Sequence, residues 1–231
     1  MTEIESKTDD DVGQLARLMK SRFSCRAFLP DPIPETTIAR IIDTARWAAS
    51  WSNVQPWELL VTRPETTREL ADRLTGLARE KAPTTNDVPY PPGFTGVHLQ
   101  RRREVGFGLY GALSIKREDR AAREAHFVEN FRFFGAPNVA LVTMPADMGP
   151  YGALDVGNFL ACFMLAAHAE GVATLAQAAL AQYAGAIREM FAIPRERAFL
   201  CGVAFGRAAM GHPANRFRAP RAELEEFHRF V

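Results

Sequence analysis

The sequence is short of the features that most readily reveal a function. It holds only three cysteines, Cys25, Cys162 and Cys201, widely spaced and without a CxxC pair. That excludes a disulfide-stapled secreted scaffold, and the three read as reduced packing residues of an intracellular protein. The formal net charge is only +1. A general nucleic-acid or anionic-membrane binder would carry more, so any anion site must be local. No apolar run is read as reaching the roughly 20 residues of a membrane span. The acidic, polar start MTEIESKTDDDVGQL is no signal peptide. From these absences a cytoplasmic protein is expected.

Chemical signatures are missing too. There is no GxGxxG after a first strand and no GxxxxGKS/T, which disfavours dinucleotide-binding and P-loop folds. No GxSxG elbow supports a serine hydrolase. His98, His126, His168, His212 and His228 stand alone, without HxxxH or HxH spacing, so no metal site is expected. Cys25 sits between Arg22 and Arg26, which would lower a thiol pKa. With no histidine base near it in sequence, it reads as packing.

What remains is an ordinary globular chain, 47% hydrophobic, without internal repeats. One domain is expected over 1–231, frayed up to Asp11. VGQLARLMKSR reads as an amphipathic helix with Leu15, Leu18 and Met19 on one face. After PDPIP, the residues Ile38, Ile41, Ile42, Ala45 and Ala49 recur at helical spacing, and Pro34 and Glu35 suit the first turn. WELLVTR reads as a strand and TTRELADRLTGLAREKA as a helix. NVALVTM and RAFLCGVAFG read as further strands, GAIREMFAI as a helix stopped at Pro194, and the tail NRFRAPRAELEEFHRFV as ending in a short helix or strand. YGALDVGNFLACFMLAAHAEGV is apolar nearly all round, hence a central helix, with Gly171 ending it. Elements interleave without regular βαβ units, so the fold class is α+β, a sheet with helices on both faces and one helix at its centre. The Pro-, Gly- and Thr-rich segment Pro83 to Gly96 is long for an internal connection, as functional lids often are. With the arginine-heavy helical region that follows, it makes 83–129 a variable excursion.

Three polar clusters carry the chemistry: Arg22-Phe23-Ser24-Cys25-Arg26; the loop SWSNVQPW with Ser50, Ser52, Asn53 and Gln55; and the tail NRFRAPR with Arg216, Arg218 and Arg221. Guanidinium forks match phosphate geometry and a hydroxyl adds a donor. Asn and Gln read the edge of a flat heterocycle. A phosphate at one end and an amide-bearing ring at the other describe a flavin mononucleotide; caps and surface charge are the plain alternative. The run Arg101-Arg102-Arg103-Glu104 reads either as a solvated face or as a contact for an anionic substrate or a nicotinamide phosphate.

In this order the clusters resemble the flavin-dependent nitroreductase family, and within it the branch that reduces nitroaromatics. The R-x-S-x-R run is Arg22, Ser24 and Arg26, and Pro32-Ile33-Pro34 matches its P-V/I-P helix start. Ala49 to Trp57 match its P-S-x-x-N-x-Q-P-W loop. Asp155, Gly157, Leu165 and Ala167 match its central helix, and Arg221, Leu224 and Glu226 its tail. NFRFFGAP and LAQAALAQY are similar to the nitroaromatic branch. The resemblance implies a nitroreductase-like fold with a central antiparallel or mixed sheet, an intertwined homodimer, and FMN in two interface clefts with NADH or NADPH as electron donor.

By position it implies that Arg22, Ser24, Arg26 and Arg221 hold the ribityl phosphate, while Ser50, Ser52 and Asn53 approach the same flavin from the partner subunit. Phe23, Trp51, Gln55 and Arg218 are further candidate cofactor-binding residues. Backbone at Ala176 to Ala179, with Gln177, Ala178 and Ala179, passes the reactive flavin nitrogen. Tyr110, Phe133 and Phe134 are candidate substrate-lining residues, with no catalytic side chain required and no metal. The implied reaction is ping-pong reduction of a nitroaromatic or quinone-like acceptor. A dehydrogenase, dehalogenase or flavin-fragmenting enzyme on the same scaffold, a non-catalytic flavin-binding module, and an RNA-binding helical protein are the alternatives.

Overall fold

In the computed structural model, residues 9–231 are described. The fraying expected for residues 1–8 lies outside them, and helix α1 (Asp9–Ser21) starts two residues earlier than the expected frayed boundary. The sheet has four antiparallel strands, β1 (Glu58–Val61), β2 (Asn138–Pro145), β3 (Ala173–Gln177) and β4 (Arg197–Gly206), in the order β1-β2-β4-β3. Buried runs such as NVALVTM form the inner strands because both of their faces are covered.

Alternation along β2 divides the core in two. Val139 and Leu141 enter one cluster with Leu70, Leu74, Phe131 and Phe199. Ala140, Val142 and Met144 enter the other with Ile38, Ile41, Phe159 and Phe163. Helices α3 (Pro64–Arg79) and α7 (Ala184–Phe191) cover the first face. Helices α2 (Glu35–Ala45) and α6 (Gly149–Ala169) cover the second.

A bulge keeps β4 in phase with both layers. Val142 pairs with Cys201 but Thr143 pairs with Phe199, so Leu200 is the extra residue. Strict period-2 alternation would put Phe199 and Cys201 on one face. Instead Phe199 joins the first cluster, while Cys201, Val203 and Phe205 join the second.

Helix α6 ends in a Schellman motif at Gly171 (φ 71°), where Gly171 N–H donates to His168 O and Val172 N–H to Ala167 O. Val156, Phe159 and Phe163 pack inward, but Tyr151, Leu154, Gly157 and Ala161 remain exposed, so a single chain covers only one side of it. The sequence expectation of no span-length apolar run needs correction. By length and composition alone Ala146–Ala169 is long and apolar enough, although Asp155 is buried within it.

Helices α4 (Gly96–Ala112) and α5 (Arg120–Val128) form the arginine-heavy region. The Pro83 to Gly96 segment before them is pinned rather than free. Thr85 N–H donates to Gln182 O, Gly185 N–H donates to Thr85 Oγ1, and Asp87 accepts from Phe199 N–H while pairing with Arg188 at 2.5 Å. The tail ends in a single 3-10 turn, Leu224–Glu226.

Because Leu200 is the unpaired residue, deleting it would leave Phe199 and Cys201 adjacent, opposite Thr143 and Val142, and still on opposite faces. Deleting the paired Gly202 instead would turn either Cys201 or the Val203–Phe205 set to the wrong face. The Gly202 deletion is expected to lose its near-ultraviolet circular dichroism and its cooperative urea transition, and the Leu200 deletion to retain both.

Candidate functional site: a basic cleft and a strained polar loop

The first polar cluster is held as an extra edge beside β3. Ser24 forms a parallel bridge with Thr174, and Cys25 N–H donates to Thr174 O at 3.0 Å. Cys25 is fully buried, and burial pushes its thiol up despite the nearby Arg26, consistent with packing rather than nucleophilic use. Phe28 packs in the core and Phe23 packs against it.

The tail is tied to this edge by a residue that sequence reasoning missed. Asn215 is completely buried. Its Oδ1 accepts Arg26 N–H at 2.8 Å, and its Nδ2 donates to Ala27 O and Ala209 O at 2.8 and 3.0 Å. Arg218 then lies over the Phe23 ring at 4.1 Å and donates to Asn215 O at 2.7 Å. An α4 glycine makes room for the turn, since a Cβ at Gly108 would come within 2.4 Å of the Phe217 ring.

These contacts gather Arg22, Phe23, Ser24, Arg26, Arg218 and Arg221 around one cleft of 500 Å³, with Lys20 and Val105 on its rim. No carboxylate among the described residues lines it. Burial, then the like charge of Arg221, lowers the Arg22 pKa from its ordinary value, and burial lowers that of Arg26. The same field reaches His168, whose pKa is lowered by burial, Arg22 and Arg17, and which sits 2.7 Å from Ser21 Oγ. An anion in the cleft would relieve this repulsion.

The second cluster sits elsewhere on the chain. Ser50, Trp51, Ser52, Asn53 and Gln55 form a turn that is largely exposed and does not line the basic cleft. Ser52, Asn53 and Gln55 have φ of 48°, 58° and 48°, a left-handed backbone that costs free energy in non-glycine residues. Side chains hold it there. Asp155 Oδ1 accepts Trp51 N–H at 3.0 Å, Ser50 Oγ accepts Gln55 N–H at 3.0 Å, and Gln55 Nε2 donates to Asn53 Oδ1 at 3.1 Å. The Trp51 ring rests 5.1 Å from Tyr151 of α6.

The third stretch named from the sequence is the end of β3. Gln177 is buried and its Nε2 donates to Asn130 O at 2.8 Å, but its Oε1 has no hydrogen-bond partner. Ala178 is exposed and Ala179 half-buried. Tyr90, from the pinned segment, donates its hydroxyl to Ala178 O at 2.5 Å. The sequence did not mark Tyr90, because only the fold brings it here. Of the proposed lining residues, Phe133 and Phe134 are corrected: both are core, turned inward by left-handed φ of 55° and 53°. Tyr110 lines a different cleft, against α4 and α5.

The Asp155 bond fixes where the polar loop begins. Asp155→Ala is expected to cost about 1.5–3 kcal/mol in urea unfolding, the usual worth of a hydrogen bond to a charged group. Asp155→Asn, which keeps the acceptor oxygen, should cost less; equal stability of all three proteins would show that the bond does not hold the loop.

A family model described as Nitroreductase family matches residues 19–207. The chain is 39% identical over 223 residues to nitroreductase NfnB of Mycolicibacterium smegmatis, covering 95% of this chain and 94% of that protein. It is 32% identical over 214 residues to a 4-nitrobenzoate reductase of Pseudomonas putida, covering 93% and 94%. A crystal structure of the FMN-dependent nitroreductase NfnB from Mycobacterium smegmatis in complex with NADPH superposes with a TM-score of 0.90 at 38% identity, covering 96% and 100%. Carrying the basic edge, the strained loop and the four-stranded sheet between them, the chain belongs to the nitroreductase family.

Proposed function

We propose that this protein is a cytoplasmic, homodimeric FMN-dependent oxidoreductase that uses NADPH or NADH to reduce nitroaromatic or quinone-like acceptors. The observation that carries it is the carboxylate-free cleft holding Arg22, Arg26, Arg218 and Arg221. Its donor set fits the phosphate of FMN, and the orphaned Gln177 Oε1 fits an N–H donor of a flat ring lying beside the end of β3. When bound, FMN supplies hydride transfer, taking two electrons from a reduced nicotinamide and giving them to the acceptor.

The chain's own residues bind and orient. Arg22, Arg26, Arg218 and Arg221 hold the phosphate, with Ser24 as a further donor. The main chain from Gln177 to Ala179 would lie beside the flavin ring, and Tyr90 occupies the Ala178 carbonyl by donating its hydroxyl to it. Ser50, Trp51, Ser52, Asn53 and Gln55 act on the flavin of the other subunit, which accounts for a costly loop that stands apart from the basic cleft of its own chain. Dimerisation is supported by the apolar surface next to that loop: Trp47, Trp51, Tyr151 and Leu154 are 80%, 66%, 63% and 62% exposed, more than a monomer ordinarily leaves in one region.

Two measurements test this reading. Purified protein should be yellow, release FMN on denaturation, and show about twice the 25.6 kDa mass of one chain. Its flavin should bleach with NADPH or NADH and recover with a nitroarene, giving parallel double-reciprocal plots. Flavin that neither nucleotide reduces would sink the reductase reading. Separately, the double variant Arg22→Ala, Arg221→Ala should weaken FMN binding by about 100-fold or more. Each charged hydrogen bond is worth roughly 1.5–3 kcal/mol, and roughly 1.4 kcal/mol is tenfold. Unaltered FMN affinity would rule out the phosphate role.

A further inference from the structure

A second basic cleft lies on the other flank of α4. It encloses 550 Å³ and is lined by Arg102 and Arg103 of α4, Arg117 of the following turn and Arg123 of α5, with Phe107 and Tyr110 among its walls. It shares Val105 with the cleft assigned to the FMN phosphate, so the two sites are neighbours separated by one helix.

No carboxylate among the described residues lines it, and several acidic residues near it in sequence are engaged elsewhere. Glu124 pairs with Lys81 at 3.2 Å, Asp119 caps α5 by accepting Ala122 N–H at 2.9 Å, and Glu104 faces a different groove with Arg101. The first arginine of the run, Arg101, is neutralised by Glu226 at 2.8 Å. The cleft arginines are instead braced by aromatic faces or by burial. Arg102 lies over Phe94 at 5.7 Å and Arg117 over Phe107 at 5.9 Å. Arg123 Nε is buried without any hydrogen-bond partner. A buried charged donor left unpaired is costly, and it marks a place prepared for an acceptor.

We propose that this cleft receives the 2′-phosphate of NADPH, with Tyr110 and Phe107 as apolar surface for the adenosine, and so sets a preference for NADPH over NADH. Four guanidinium groups exceed what a single aryl carboxylate needs. They match a phosphate monoester, which carries close to two negative charges and three acceptor oxygens. The position fits as well: a donor nucleotide whose nicotinamide reaches the flavin has its adenosine end outside the flavin cleft, and this basic surface adjoins that cleft. The inference rests on the reductase reading above.

The test uses the FMN-loaded protein and does not need turnover. In calorimetric titration, 2′,5′-ADP is expected to bind at least tenfold more tightly than 5′-AMP or inorganic phosphate. The double variant Arg102→Gln, Arg117→Gln should abolish that margin while keeping its flavin. In steady state the same variant should lower the ratio of kcat/KM for NADPH to that for NADH at least tenfold. Equal affinity for 2′,5′-ADP and 5′-AMP, or a variant that slows both nucleotides alike, overturns the assignment. Arginine-dependent binding of 2′,5′-ADP by a protein whose flavin no nucleotide reduces would uphold the cleft as a 2′-phosphate site and sink the reductase reading alone.

Discussion

Like charges held together against their own repulsion are the constraint around which this molecule is arranged. Arg22 and Arg26 come from a segment bridged to β3, Arg218 and Arg221 from the tail, and no carboxylate stands among them. Such a set disperses unless the backbone beneath it is fixed. Here the fixing is done by groups remote from the charge: the Ser24–Thr174 bridge, the three Asn215 hydrogen bonds, and the Phe28 side chain sunk into the core. Stability gained by apolar burial thus holds a locally unfavourable electrostatic arrangement, which a dianion binding there would convert into affinity.

Helix α6 does three things at once, and its sequence is a compromise among them. Its inward positions, Val156, Phe159 and Phe163, complete the second core layer. Asp155, buried among apolar neighbours, accepts the Trp51 N–H and so sets the start of the strained loop. Its outward positions Tyr151, Leu154 and Ala161 stay exposed and apolar, with Asn158 among them. A helix devoted to the core alone would need neither Asp155 nor Leu154 where they stand. This explains why the segment looked uniformly central in sequence although one chain covers only part of it.

The parts that were legible in sequence are those governed by local rules. The buried runs of β2 and β4, the Gly171 stop, the α2 start and the composition of the basic edge all follow from propensity, periodicity and donor chemistry. What was not legible depends on long-range pairing. ATLAQ has one β-branched residue and becomes β3 because Ser24 and β4 flank it. RAFLCGVAFG reads as a continuous buried run, so nothing in it announces the Leu200 bulge. Asn215 looks like any tail asparagine until its three partners are known. Tyr90 stands 88 residues from the carbonyl it reaches. NFRFFGAP shows two adjacent aromatics, but only their left-handed backbone reveals that both point inward.

Helix α4 shows how far one element can be shared. Its Gly108 admits Phe217, which brings the tail arginines to the first cleft, while Arg102 and Arg103 on the same helix face the second. The helix has little apolar commitment to the domain, since only Leu109 of its 17 residues is buried. Its position is therefore set largely by the tail on one side and by the Arg117 and Arg123 segment on the other. Any shift of α4 changes both clefts together, through Val105, which lines each of them. Anions in the two clefts would sit on opposite flanks of one lightly anchored helix, and each would hold it from its own side. The occupancies of the two clefts would in this way be coupled by geometry, without any contact between the two sets of arginines being required.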